Sequence, residues 1–243
     1  MKFFIEFGIN HLGNKEILKN FSDFFCKSSF IHCTFMLHNK KFYENNPKYY
    51  IDPIFMNKII TNIKNNKKYV GLSVCDEITY NEYKTLDFDF FKLLSVGNAN
   101  YNLIDLIKKK KKYIYISTGL GNVSKSLNLF KGYKKKVILH TPMTYSSKQL
   151  NFNKINSLKK KYKLNVGYSC HNDNINTLYA LSYYNPDCIF LYVKHSNMKR
   201  YKIPDDKHAV LLEDLEKIKK NYLECLNVHK INNEKFNINI FKK

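Results

Sequence analysis

Short apolar runs recur along this chain, and polar stretches of helical length separate them. The runs fall at 3–8, 30–36, 69–74, 89–94, 113–117, 136–140, 164–168 and 188–193. Their length and their content of β-branched and aromatic residues predict eight strands. Helical spacing appears between them. Residues 15–27 place Ile17, Leu18, Phe21, Phe24 and Phe25 on one face. Residues 54–65 and 174–184 read as helices too. So do residues 213–225, where Leu215, Ile218, Tyr222 and Leu223 share a stripe. Strands alternating with helices predict parallel β–α units. Eight such units in about 225 residues predict a closed (β/α)8 TIM barrel as a single α/β domain over 1–225. Residues 226–243 read as a basic C-terminal extension. A doubly wound open sheet is the alternative. It wants a glycine-rich loop after the first strand, and Phe7-Gly8-Ile9-Asn10-His11 is not GxGxxG.

A barrel gives meaning to the strand ends, because active sites lie at the C-terminal face. The first strand ends with Glu6, then Asn10 and His11. The fourth carries Lys92 and Ser95, and the fifth Ser117 and Thr118. The sixth offers His140, Thr141 and Tyr145. The seventh offers Ser169 and His171, and the eighth Lys194 and His195. Hydroxyls and lysine suit a phosphate or a carboxylate. Two imidazoles suit a divalent metal with positions open to water and substrate. A lone histidine at a strand end is more often structural, so the signal lies in the co-location.

Composition narrows the choices. Hydrophobic residues make up 44% of the 243, as expected of a globular chain. No apolar run is long enough to span a membrane. The N-terminus MKFFIEFGIN lacks a signal-peptide core, so the expected compartment is the cytoplasm, with no membrane partner. Six cysteines without CxxC spacing read as small buried hydrophobes. The net charge of +21 admits an anionic partner. No aromatic–basic motif accompanies the lysine runs, so they read chiefly as solvated helix ends, with nucleic acid disfavoured.

An ordered set of motifs resembles the sialic acid (N-acetylneuraminate) synthase family. Glu6-Phe7-Gly8-Ile9-Asn10-His11-Leu12-Gly13-Asn14 is similar to its E-I-G-x-N-H-x-G-x opening. Phe91-Lys92-Leu93-Leu94-Ser95, Ile116-Ser117-Thr118-Gly119-Leu120 and Leu139-His140-Thr141 with Tyr145 follow in family order. Then come Val166-Gly167-Tyr168-Ser169-Cys170-His171, Lys194-His195, and Pro204 to Ala209. The family condenses phosphoenolpyruvate with an N-acetylated amino sugar and releases phosphate. The resemblance implies that His171 and His195 hold a divalent metal, Mn2+ by family habit, with Mg2+ or Co2+ as substitutes, and act in catalysis through it. It implies Lys92, Ser95, Ser117 and Ser169 as phosphoenolpyruvate contacts. Glu6 becomes the catalytic carboxylate, and Tyr145 and Asp206 sugar contacts.

Departures are equally specific. Thr34 and Met36 stand where the family has lysine and glutamine. Val74, Gly97, Met143 and Cys170 replace threonine, glutamate, asparagine and an acid. The family's C-terminal antifreeze-like domain is not expected here. A homodimer or a separate partner chain would then complete the sugar site. Three readings follow: a nonulosonate-type synthase, a diverged barrel that binds a metal or phosphorylated ligand without condensation, and a basic interaction module. The last predicts lysine clusters on one face and steep salt dependence.

Overall fold

The computed structural model describes residues 1–120, 123–198 and 201–228. Eight strands follow one another in chain order: β1 (Lys2–Gly8), β2 (His32–Met36), β3 (Tyr69–Val74), β4 (Phe90–Leu93), β5 (Tyr113–Ser117), β6 (Lys136–His140), β7 (Val166–Ser169) and β8 (Cys188–Lys194). Every neighbouring pair is parallel. β8 returns to β1 in the register Lys2↔Cys188 through Glu6↔Tyr192, which closes the sheet. This is the (β/α)8 barrel expected from the strand–helix alternation. A two-residue strand, β9 (Val210–Leu211), adds to the end of β8 through Val193 and Lys194.

Helices cover the barrel: α1 (Lys15–Lys27), α2 (Lys40–Asn45), α3 (Pro53–Asn65), α4 (Glu77–Tyr83), α5 (Tyr101–Lys109), α6 (Val123–Leu129), α7 (Asn153–Tyr162), α8 (Asn176–Leu181) and α9 (Leu215–Val228). Their starts are written in the sequence. Asn14 caps α1 by accepting from the backbone N–H groups of Glu16 and Ile17. Asp52 caps α3 ahead of Pro53, whose missing N–H costs nothing at that position. The last helix extends past the expected Cys225 to Val228. The remainder of the expected extension, 229–243, lies outside the described residues. The expected helix at 174–184 is shorter, Asn176–Leu181, and one 3-10 turn continues it to Tyr184.

Strand parity separates two cores. In β1, Phe3, Ile5 and Phe7 face the helices and join the main core, while Phe4 and Glu6 face the barrel axis. Inside, Phe4, Phe90, Tyr115 and Phe190 fill one layer. The Phe4 and Phe190 rings stack 4.3 Å apart. Gly71 makes room for it, since a Cβ there would sit 2.1 Å from the Phe90 ring. Each buried side chain of this size contributes roughly 1.5–3 kcal/mol. This aromatic floor supports a polar layer nearer the strand C-termini.

Candidate active site

Inward parity brings Glu6, Thr34, Ser73, Lys92 and Ser169 to the barrel interior, one layer above the aromatic floor. Lys92 Nζ lies 2.6 Å from Glu6 Oε2 and donates to Ser169 Oγ at 3.0 Å. The Ser73 hydroxyl donates to Glu6 Oε1 at 3.4 Å and meets Thr34 Oγ1 at 3.0 Å. Lys92 Nζ also sits over the Phe190 and Tyr192 rings, 4.8 and 5.6 Å from their centroids. Every partner of the buried ammonium is therefore anionic, hydroxylic or a ring face, which is what a desolvated cation requires.

Above this pair a cavity of about 250 Å³ opens to solvent at the C-terminal face. Lys92, Ser95, Ser117, Tyr145 and His171 line it, as do Thr141, Asp205 and His208. Ser95 Oγ accepts from the Gly119 backbone N–H at 2.9 Å. The Ser117 hydroxyl is buried and has no partner among the described residues. The Lys92 ammonium and these hydroxyls form a cluster suited to phosphate or carboxylate oxygens.

The other wall is imidazole and carboxyl. The His171 and His208 rings lie 4.8 Å apart, and both pack against Tyr192. His208 Nε2 is 3.6 Å from Asp205 Oδ1, while Asp205 Oδ2 is buried with no hydrogen-bond partner among the described residues. Burial, then the His208 and Lys92 charges, push His171 down to about 3. Burial and the charges of Lys92 and Lys194 push His208 down to about 4. Both rings are neutral at pH 7. Asp205 moves the other way, up to about 7, through burial and the Glu6 charge, with Lys92 opposing. A carboxyl so placed is an acid near neutral pH.

Local backbone explains the position of Asp205. Asn10, just past β1, donates to the Val193 carbonyl at 2.9 Å and accepts from the Asp205 N–H at 3.2 Å. Gly8 has φ +57°, and a Cβ there would lie 2.8 Å from Asp205 Oδ2. A left-handed residue without a side chain lets the 205–208 loop close over the end of β1.

Among the residues singled out in the sequence, Lys92, Ser95, Ser117, Tyr145 and His171 meet at the cavity, and Glu6 and Ser169 lie just beneath it. His195 and Asp206 do not line it. His195 Nδ1 sits 3.1 Å from Glu213 Oε1 and accepts from the Asn197 N–H. Asp206 is 61% exposed and pairs with Lys194 at 2.7 Å. Sequence reasoning passed over Ser73, Tyr192, Asp205 and His208 as members of the site. Inward parity in Tyr69–Val74 marks Ser73, and its neighbour Asp206 drew attention from Asp205 by one position.

The donor set bears on the metal that the resemblance implies. Among the described residues no three histidine, cysteine or carboxylate side chains are grouped as a metal ion requires. The imidazole beside His171 is His208, while His195 is engaged with Glu213. This arrangement does not fit an ion shared by His171 and His195. The departures also have places. Met36 and Met143 line the cavity, and Thr34 reaches Glu6 through Ser73. Val74 faces outward into the main core. A Cβ at Gly97 would lie 2.8 Å from the Cys75 Cα, leaving no space for the glutamate that the resemblance suggests.

Fold and site together define a single (β/α)8 barrel whose mouth holds a buried lysine–glutamate pair under a hydroxyl-rich cavity. Residues 37–231 match the model of the NeuB family. The chain belongs to the NeuB family. Its fold is similar to that of the N-acetylneuraminic acid (sialic acid) synthetase of Leptospira borgpetersenii, solved with citrate, at 16% identity and a TM-score of 0.85, over 99% of this chain and 89% of that one. It is also similar to spore coat polysaccharide biosynthesis protein spsE of Bacillus subtilis, at 15% identity and a TM-score of 0.76, over 96% and 71% of the two chains. The phospho-2-dehydro-3-deoxyheptonate aldolase of Thermotoga maritima shares the fold at 10% identity and a TM-score of 0.73, over 94% and 69%. No curated protein matches the chain by sequence.

Proposed function

We propose that this barrel condenses phosphoenolpyruvate with an N-acetylated amino sugar to form a nonulosonic acid and phosphate. The observation that carries this reading is Lys92, a buried ammonium at the floor of a cavity whose wall offers the Ser95 and Ser117 hydroxyls. Family membership supports the same reaction class.

In this reading the phosphate and carboxylate of phosphoenolpyruvate take the Lys92, Ser95, Ser117 and Ser169 side, and the open-chain sugar lies toward Tyr145. The terminal methylene carbon of phosphoenolpyruvate attacks the aldehyde carbon and forms the C–C bond as its own C=C bond opens, and a proton must reach the aldehyde oxygen. Asp205 supplies it from the opposite wall. The neighbouring carbon, which carries the phosphate ester oxygen, becomes an oxocarbenium centre, which the Glu6 carboxylate stabilises. Water adds there and Glu6 takes up one of its protons; the C–O bond to phosphate then breaks as the new hydroxyl becomes the ketone and its remaining proton leaves with the phosphate. Glu6 and Lys92 are held before substrate arrives, so little reorganisation accompanies charge development.

The rim residues Leu120, Met143 and Tyr145 are exposed, and a second copy or a separate chain would complete the sugar side there. The reading is tested by phosphate release from phosphoenolpyruvate in the presence of a panel of N-acetylated amino sugars, with and without Mn2+. Sugar-dependent release that is lost in Lys92→Met supports it. Release from no sugar, while phosphoenolpyruvate still binds through Lys92, selects the diverged barrel, which the apolar Met36 and Met143 would favour.

A further inference from the structure

The positive charge is unevenly placed. Between Leu106 and Asn172 the chain carries sixteen lysines and no carboxylate, out of a net charge of +21. Thirteen of the sixteen fall in three clusters, 108–112, 131–136 and 159–163. These are the turns that lead into β5, β6 and β7 and the helix ends before them. The three strands are neighbours in a parallel sheet, so the three clusters are adjacent. All lie at the N-terminal face of the barrel, opposite the candidate site. Among the described residues, only Lys108 and Lys159 of these clusters have a carboxylate within ion-pair distance, Asp105 and Asp187, each at 3.5 Å. Gathering like charges is unfavourable in the absence of an anionic partner.

Apolar groups share that face. Tyr69 and Tyr113 begin β3 and β5, Ile31 precedes β2, and each is about half exposed at 50%. The turns before β5 and β7 are residues 110–112 and 163–165, too short to build walls around the lysines. The face is a broad cationic rim with tyrosines at the same level, and among the described residues no helix or strand projects from it to enter a nucleic-acid groove.

We propose that this face docks on an anionic lipid bilayer, with the lysines against the headgroups and Tyr113 and Tyr69 at headgroup level. The docking is peripheral, since no helix among the described residues is long and apolar enough to cross a membrane. The candidate site then faces away from the lipid and stays open. The sequence alone assigned these lysines to solvation. Their convergence on one end of the barrel changes that, independently of the proposed reaction.

Sedimentation of the full chain with vesicles tests the proposal. Neutral phosphatidylcholine vesicles are compared with the same vesicles containing phosphatidylserine, at low and physiological salt. The expected result is binding to the phosphatidylserine vesicles alone, weakening with salt. Each lysine near such a surface contributes a factor of about five, so Lys110→Glu, Lys134→Glu and Lys160→Glu together weaken binding by about a hundredfold or more. The same net change at the opposite end, Lys41→Glu, Lys48→Glu and Lys148→Glu, leaves binding within a few-fold. Tyr113→Ser weakens binding and leaves its salt dependence unchanged. Circular dichroism confirms that each variant is folded. Three outcomes overturn the proposal: no binding to phosphatidylserine vesicles, equal loss from either triple variant, or tighter binding to a DNA duplex than to the vesicles.

Discussion

The Glu6 carboxylate and the Lys92 ammonium lie 2.6 Å apart, with 1% of each side chain exposed. They come from β1 and β4, far apart in sequence and across the barrel, and meet because both occupy inward positions one layer above Phe4 and Phe90. Neither charge is tolerable alone at that depth. The pair therefore behaves as one unit, and an anionic ligand gains access to a cation that is already desolvated and oriented.

Breaking the pair from one side strands a charge. Lys92→Met should destabilise the fold by about 3–5 kcal/mol. The double variant Lys92→Met, Glu6→Gln should recover most of that loss while remaining inactive. Urea denaturation of the two singles and the double closes the cycle. Additive losses would show that the two groups do not act as a pair.

The carboxyl of Asp205 predicts a pH effect of defined sign. Its folded value of about 7 lies above its ordinary 3.8, so the folded state binds the extra proton in between. This group's contribution to stability is full below about pH 4 and is lost as pH rises through 7. A shift of that size sets a ceiling of about 4 kcal/mol. Asp205→Asn should therefore gain most over the parent at pH 8 and little at pH 4. The neutral His171 and His208 act oppositely, since their depressed values cost stability as pH falls below 6.5 toward 4 and 3. If Asp205 donates the proton, phosphate release falls above about pH 7 in the parent. Thermal melts across pH check the first effect and initial rates the second.

Gly8 links the backbone to the site. With φ at +57° and Asp205 Oδ2 2.8 Å from any Cβ, Gly8→Ala meets both a backbone cost and a clash. The left-handed conformation alone costs about 1–2 kcal/mol. Displacement of Asp205 should reduce kcat more than it raises KM for phosphoenolpyruvate, because Lys92 and Ser95 are untouched. Steady-state kinetics separate the two. An unchanged kcat would detach Asp205 from the chemistry.

Much of this was legible in the sequence. The apolar runs gave all eight strands to within two or three residues, because strands buried on both faces leave unbroken hydrophobic signals. The amphipathic helix at Lys15–Lys27 was equally plain, with its Phe21 and Phe25 stripe. Short helices such as Lys40–Asn45 and Glu77–Tyr83 were not individually visible, since six or seven residues carry too few turns to set a period. In the site, order along the strands located Glu6, Lys92, Ser95, Ser117 and His171. The 195–209 segment was the difficulty. Its stretch around Asp205 is held by Asn10 and Gly8 from the other end of the chain, so which of Asp205 and Asp206, or of His195 and His208, turns inward depends on contacts that local pattern does not contain.

That loop yields the last prediction. His171 and His208 share the cavity wall, while His195 accepts from Asn197 and lies against Glu213 on the outside. His195→Ala removes a partly exposed contact of the kind worth about 0–1 kcal/mol. It should leave phosphoenolpyruvate binding and Mn2+ response unchanged. His208→Ala opens the wall beside Asp205 and lets water reach that carboxyl. Desolvation is the main cause of the raised Asp205 value, so the alkaline limb of the rate profile should move to lower pH in His208→Ala and stay in place in His195→Ala. Calorimetric titration with phosphoenolpyruvate and with Mn2+, together with the two pH profiles, decides the matter. Loss of a Mn2+ response in His195→Ala would mean that this imidazole swings inward in the working protein, and would return it to the site as a ligand.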